Sequence, residues 1–415
     1  MRKLSALFQC AVILFILFQT HALHAASIGL DEMLGRALEK TELILASEEQ
    51  VTGKKHFKDQ AASYMNPNFE ANSGRKTSGG TVYGISVTQP FYYPGKQDLR
   101  AAVAGQDVEL AKLGLREARL FVYYETMRLA AACAIAGQRA EHAKERVARF
   151  AVMQKYMNSR PFASPQKRIE KYIVENRMDI FAKELFRIQS EREILWAGLN
   201  TFLDMPEKPD IKVELPSAMP ALEIESLIRL AGEHNTAVAS ILAGVRKKSL
   251  ERDLARKEAW PDFGLSAFYS GETGGERERI IGGGVAFTLP VFNRNGGAVQ
   301  GLDAELRSEN LRLAFERRAL RERVRAAYHE FTIAAGAVAR LSDAHLERMH
   351  RQQREADDAF ERGLLDFVTY LEIESDIYEK HQVIFASRYE YVEKLSQLLW
   401  LSGEMKNPLR PGGAK

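Results

Sequence analysis

Thr369, Glu372 and Asp376 follow one another by steps of three and four, so on a helix they share one face. Phe367, Tyr370, Leu371, Ile377 and Tyr378 cover a different side of the same segment. In a single chain such a face is an ordinary solvated acidic surface. Several copies gathered around one axis would form a ring of carboxylates that favours cations and repels anions. The spacing is compatible with either reading.

Other chemistries lack their residues. His329-Glu330 has no second histidine at the spacing of a zinc-protease helix. His345 and His350 are five apart, which does not bring two ligands to one helix face, so they read as solvated helix histidines. No Gly-x-x-x-x-Gly-Lys phosphate loop occurs. Gly282-Gly283-Gly284 lies in strand-like sequence, where small side chains facing a lumen account for it. Cys133 sits among Ala131, Ala132 and Ala134 and reads as a packed thiol. No catalytic residue, cofactor or fixed metal-ligand set is therefore expected. The chain reads as a non-enzyme that works by exclusion and charge.

The 415 residues carry 58 basic and 55 acidic side chains, a formal net charge of +3. So balanced a surface argues against nucleic acid as the main partner. With 46% hydrophobic and 27% charged residues, neither disorder nor collagen fits. Two cysteines rule out a disulfide scaffold. One long apolar run, Leu4 to Phe18, follows Arg2-Lys3 and precedes a polar stretch ending His24-Ala25-Ala26. It is shorter than the ~20 residues of a spanning helix. Residues 1–25 therefore read as a secretory signal peptide. Cys10, within it, lacks the small residues that precede a lipidated cysteine.

What remains must position the acidic face, and it reads as a pattern stated twice. Tyr64 to Ala71 resembles Glu258 to Leu265, and Ser86 to Phe91 resembles Ala286 to Phe292, both about 200 residues apart. Helical patterns at Leu30 to Phe57 and Leu222 to Lys257 precede each copy. The expected organisation is a first structural repeat over 26–210, a second over 211–403 and a tail over 404–415. Each repeat holds a strand pair in which apolar residues alternate with small or polar ones. Ile85 and Val87 oppose Gly84 and Ser86, and Val285 and Phe287 oppose Gly284 and Ala286. This is the pattern of a transmembrane barrel strand, although a soluble sandwich with one wet face shares it. Four such strands cannot close a barrel, and open edges are not allowed in lipid, so a membrane location requires several chains. Proline is absent from about Asp98 to Met157 and from about Leu302 to Glu361. Each stretch predicts one uninterrupted helix of about 90 Å. Leu302, Leu306, Leu313, Leu320, Val324, Ala327, Phe331, Ala334, Val338 and Leu341 supply a heptad-type seam in the second. Breaks at Asn158 to Pro165 and Arg362 to Asp366 turn each helix into a hairpin returning over about Gln166 to Phe202 and Asp366 to Leu401. The returning helices are too short to match, so a short helix is expected to stack on each.

Trp260-Pro261-Asp262-Phe263-Gly264-Leu265, Leu289-Pro290-Val291-Phe292-Asn293-Arg294-Asn295-Gly296-Gly297 and Leu398-Leu399-Trp400-Leu401-Ser402-Gly403, in this order of elements, resemble the signatures of TolC-like outer membrane factors. The Pro-Val-Phe-Asn-Arg-Asn-Gly-Gly form is most similar to the branch serving heavy-metal efflux pumps of the resistance-nodulation-division type. The resemblance implies a mainly α fold with a small β-barrel portion. Three chains would form a homotrimer whose outer-membrane barrel has about 12 strands. A helical coiled-coil tunnel would continue it through the periplasm to an adaptor and an inner-membrane pump. The function implied is a passive exit duct for substrates that include heavy-metal cations. On this resemblance Glu372 occupies an acidic position of the periplasmic gate, and Asp376 joins it as a gate candidate through the shared helix face. Thr369 stands where another acidic gate residue is usual. The tip turns facing the adaptor would carry Pro161 and Ser164 in the first hairpin, and Gly363 and Asp366 in the second. The first tip departs from the family, with two prolines in place of a glycine. Ile85, Val87, Val285 and Phe287 would face lipid, and Gly84, Ser86, Gly284 and Ala286 the lumen. The alternative is a periplasmic structural or adaptor-like coiled-coil protein, against which the duplicated strand-pair and hairpin unit speaks.

Overall fold

Alternation of period two and long proline-free runs both become regular structure. The computed structural model describes residues 27–77, 79–159, 164–214, 222–274, 278–341 and 343–405. The expected signal segment, Pro161 and most of the tail lie outside these. The described helices are α1 (Leu30–Lys40), α2 (Glu42–Ala61), α3 (Lys96–Asn158), α4 (Pro165–Leu203), α5 (Ile224–His234), α6 (Thr236–Glu258), α7 (Gly296–Arg340), α8 (Asp343–Glu361) and α9 (Phe367–Ser402). The strands are β1 (Ser27–Gly29), β2 (Asn68–Arg75), β3 (Thr81–Phe91), β4 (Asp210–Lys212), β5 (Phe263–Thr273) and β6 (Arg279–Phe287). Among the described residues no helix is long and apolar enough to cross a membrane.

Three helical expectations need correction. The stretch from Leu302 is not one rod to Glu361: α7 stops at Arg340 and α8 starts at Asp343. The Leu341 N–H is shared between the carbonyls of Ala337 and Val338, so the last turn tightens and the ladder ends there. Leu30 to Phe57 bends at Thr41 (ψ 122°), whose hydroxyl turns back to the Ala37 and Phe202 carbonyls. Leu222 to Lys257 bends at Asn235 (ψ 122°), whose side chain caps α6 by accepting from the Val238 N–H. Both bends place a short polar residue where it serves a helix end better than a helix interior.

The contacts divide the chain into two units, each drawing on both halves of the sequence. One comprises Glu42–Ala118 and Ile228–Arg323. It contains a sheet ordered β2-β3-β5-β6, with antiparallel neighbours throughout. β3 pairs with β5 from Thr81↔Thr273 to Phe91↔Phe263, so a strand from each sequence half meets at the sheet centre. β6 ends at Phe287. Below the sheet, Lys96 is buried, donating to the Trp260 carbonyl at 2.7 Å and to the Asp262 carboxylate at 2.9 Å. The same carboxylate accepts the Tyr93 N–H, and the Tyr93 ring stacks on Trp260 at 5.5 Å. The Trp260-Pro261-Asp262 motif thus joins strand to helix by pairing a buried cation.

The other unit comprises the described parts of Met1–Thr41, Arg119–Leu227 and Val324–Lys415. Here β1 and β4 form a short parallel pair. The Arg36 guanidinium donates to the carbonyls of Leu203 and Asp204, fastening α1 to the end of α4. This joins a short helix to the end of the returning helix of the first half. Val324, Ala327, Phe331, Ala334 and Val338 are buried along the predicted seam of α7.

Candidate functional site

The second hairpin turn is built from cap chemistry. Gly363 takes φ +72°, a left-handed backbone open to glycine at little cost. Its N–H reaches the Phe360 carbonyl and the Leu364 N–H the Ala359 carbonyl, the Schellman arrangement that ends α8. Asp366 then caps α9, with one carboxylate oxygen accepting the Val368 and Thr369 N–H groups at 3.0 Å. The other oxygen accepts the Thr369 hydroxyl at 2.6 Å. The Thr369 hydroxyl and these amides hold the Asp366 carboxyl below its ordinary value. Gly363 and Asp366 therefore shape the turn, and Thr369 serves the cap. At the first tip, Ser164 caps α4 by accepting the Lys167 N–H, and Pro165 opens the helix, where its missing N–H costs nothing.

Glu372 and Asp376 lie exposed on α9, on the face expected. Asp376 pairs with Lys380 one turn on, which offsets part of that face's charge. Between them Glu374 points the opposite way and is 1% exposed. Its carboxylate takes a bidentate pair of bonds from Arg146 on α3, Nε and Nη2 each at 2.8 Å. The guanidinium lies between the Phe181 and Tyr378 rings, 3.7 and 3.9 Å from their centroids. Towards the turn, Phe150, Met153, Val174, Phe181, Ala356, Phe367 and Tyr370 pack as one core. The Tyr370 hydroxyl donates to Asp357 at 2.8 Å, and its pKa is raised by burial and by that carboxylate. Arg146 and Glu374 were not singled out from the sequence. They are far apart in the chain, and only Glu374's i+2 offset from Glu372 hinted that it faces inward.

The strand residues separate into two faces. Phe69, Ala71, Ile85, Val87, Leu265, Ala267, Ile281, Val285 and Phe287 share one face by register. Ile85 is 48% exposed and Val285 65%. Gly84, Ser86, Ser266, Gly282, Gly284 and Ala286 share the other. The glycines there admit cross-strand neighbours: a Cβ at Gly284 would press on the Ser266 hydroxyl, and one at Gly282 would overlap the Phe268 ring. Phe268 is a large side chain on the small-residue face that the alternation did not flag. Among the described residues, β2 and β6 each leave one edge without a strand partner.

No family profile and no curated relative matches the chain. Solved structures do match in fold. A CusC structure described in terms of folding and transmembrane channel formation is 11% identical, covers 90% of this chain and 92% of its own, and gives a TM-score of 0.73. A membrane protein from Pseudomonas aeruginosa is 14% identical, with 90% and 92% covered and a TM-score of 0.72. The open state of the Neisseria gonorrhoeae MtrE outer membrane channel is 14% identical, with 93% of each chain covered and a TM-score of 0.68. Over nine-tenths of its length the chain thus has the fold of solved outer membrane channels.

Proposed function

We propose that the protein is the outer-membrane exit duct of a tripartite efflux system. The observation that carries this reading is the β2-β3-β5-β6 sheet, with one large apolar face exposed and two edges that have no strand partner among the described residues. Such a sheet is stable in lipid only when its edges are closed by further strands. Three chains would supply about 12 strands, the closure that one chain lacks. Ile85, Val87, Val285 and Phe287 face lipid, and Gly84, Ser86, Gly284 and Ala286 line the lumen. The repeats over 26–210 and 211–403 descend from one duplicated unit. The bends at Thr41 and Asn235, about 200 residues apart, support this. Glu372 and Asp376, with Thr369 beside them, form the periplasmic gate. The turns at Pro161, Ser164, Gly363 and Asp366 meet a periplasmic adaptor and, through it, an inner-membrane pump of the resistance-nodulation-division type. Heavy-metal cations are the substrate class that the Pro290 to Gly297 motif and the acidic face favour. The test is fractionation of cells producing the full chain, followed by cross-linking. A trimer in the outer-membrane fraction is expected, and a soluble periplasmic monomer would overturn the reading.

A further inference from the structure

Away from the hairpin turn, beyond the Arg146–Glu374 pair, three helices bring three histidines together. His142 on α3 and His381 on α9 stack with ring centroids 4.0 Å apart. Both are buried. His350 on α8 meets His381 at 5.2 Å, nearly edge-on. Tyr378 stacks on His142 at 5.3 Å, and Phe385 lies 6.3 Å from it. His381 Nδ1 lies 2.9 Å from the Ile377 carbonyl. A carbonyl only accepts, so Nδ1 carries the proton and Nε2 is the bare nitrogen. That Nε2 and His142 Nδ1 are buried without a hydrogen-bond partner among the described residues.

The arrangement suits neutral rings and no metal. Stacked imidazoles hold their lone pairs in separate planes, so the two cannot converge on one tetrahedral ion. Among the described residues, no group of three or more His, Cys, Asp or Glu side chains is arranged to hold a metal ion. A proton is a different matter. It would add an N–H without an acceptor, and a charge against the face of the second ring.

The surrounding charges add to this. From α3, Arg146 and Arg149 act against a proton on His142, as do His381 and His350. Glu374 on α9 does not offset them, because Arg146 occupies its carboxylate. Glu145, on α3, favours a proton on His381. The histidines also border a cavity of about 840 Å³, which gives protons a route in. Its wall carries Glu141 and Glu145 from α3, Arg192 from α4 and Arg388 from α9. At and just beyond β4 it carries Asp210, Lys212 and Glu214.

We propose that the His142–His381 stack is an acid-sensitive latch: it holds α9 against α3 while both rings are neutral, and a proton on either ring releases it. Burial, followed by the neighbouring positive groups, pushes His142 down to about 3. Burial also lowers His381, against the opposing pull of the Ile377 carbonyl and Glu145. Folded values below the ordinary 6.5 mean that the latch is at full strength above pH 6.5 and weakens as pH falls toward the folded value. For His142 alone, a shift from 6.5 to about 3 makes opening about fiftyfold more favourable at pH 4.5 than at pH 6.5. The latch is a property of one chain's packing and stands apart from the duct reading.

Hydrogen exchange on the full-length protein, corrected for intrinsic rates, tests it. Amides of 374–388 on α9 and 139–149 on α3 should lose protection by about fiftyfold between pH 6.5 and 4.5, while β3 and β5 keep theirs. The His142→Gln, His381→Gln double variant should abolish the pH step, and His345→Gln should retain it. A flat wild-type profile, or an unchanged step in the double variant, would overturn the latch. If the double variant does not fold, ¹⁵N-histidine NMR of the wild type at pH 5.5 decides. Two rings still neutral at that pH support the latch, and fewer than two refute it.

Discussion

The sheet and the helical packing around Glu374 invert each other. In the sheet, the large apolar side chains Ile85, Val285 and Phe287 are the exposed ones, and glycine and serine occupy the opposite face. In the helical packing, a glutamate, an arginine and two histidines are buried, and Glu372 and Asp376 are outside. An exposed apolar face needs something apolar beyond the chain to cover it. Buried charge needs its partners within the chain, fixed in place before anything else binds. The sheet is therefore incomplete alone, and the helical packing is self-sufficient and sensitive to loss of any single partner.

The largest expected effect breaks that self-sufficiency. Glu374→Gln keeps the shape but removes the bidentate partner of the buried Arg146, leaving it only the looser ion pair to Glu184 at 3.9 Å. The cost should be about 3–5 kcal/mol, the usual penalty for breaking a buried pair. Thermal denaturation should register it as a large drop in Tm. Replacing both partners with Arg146→Met and Glu374→Leu removes the desolvated charges together and should recover much of the loss. A double variant no better than Glu374→Gln would show that the Phe181–Arg146–Tyr378 stack, and not the ion pair, holds the helices.

The sheet should respond to which face is changed. Arginine at the membrane midplane costs about 2–4 kcal/mol on a lipid-facing position and little on a lumen-facing one. Val285→Arg should therefore impair assembly into the outer membrane far more than Ser86→Arg, read as trimer yield after membrane extraction. Equal yields would mean that the two faces are not lipid and lumen.

How much of this was visible beforehand follows the same division. β3 runs through the Gly84 to Val87 alternation read from the sequence, because strand faces are set locally. α4 and α9 begin where Ser164 and Asp366 offer N-caps, again a local signal. The bends at Thr41 and Asn235 were hidden because one polar residue does not interrupt an apolar period of three to four. The break after Arg340 was hidden because neither proline nor glycine marks it. Phe268 escaped notice because its place over Gly282 depends on the partner strand. The Arg146–Glu374 pair and the His142–His381 stack join residues more than two hundred positions apart. No periodicity reports such a pairing, whereas His350 stays exposed, as its reading as a solvated helix histidine expects.

The smallest effect on stability, and the most specific to function, belongs to Glu372. It is exposed and makes no ion pair among the described residues, so Glu372→Gln should change stability by no more than about 0.5 kcal/mol. Asp376 already leans on Lys380, which makes it the weaker contributor to the local field. If three copies of α9 surround one axis, three Glu372 carboxylates repel one another across it, and a bound multivalent cation relieves that repulsion. Packing elsewhere at the tip must then hold the closed state, and the Phe367 and Tyr370 core is placed to do so. Single-channel recording in planar bilayers should show weaker block by multivalent cations and lower cation-to-anion selectivity in Glu372→Gln. Adding Asp376→Asn should extend both changes only slightly. If neither quantity moves in the single or the double variant, the acidic face of α9 is a solvated surface and the constriction is set by other residues.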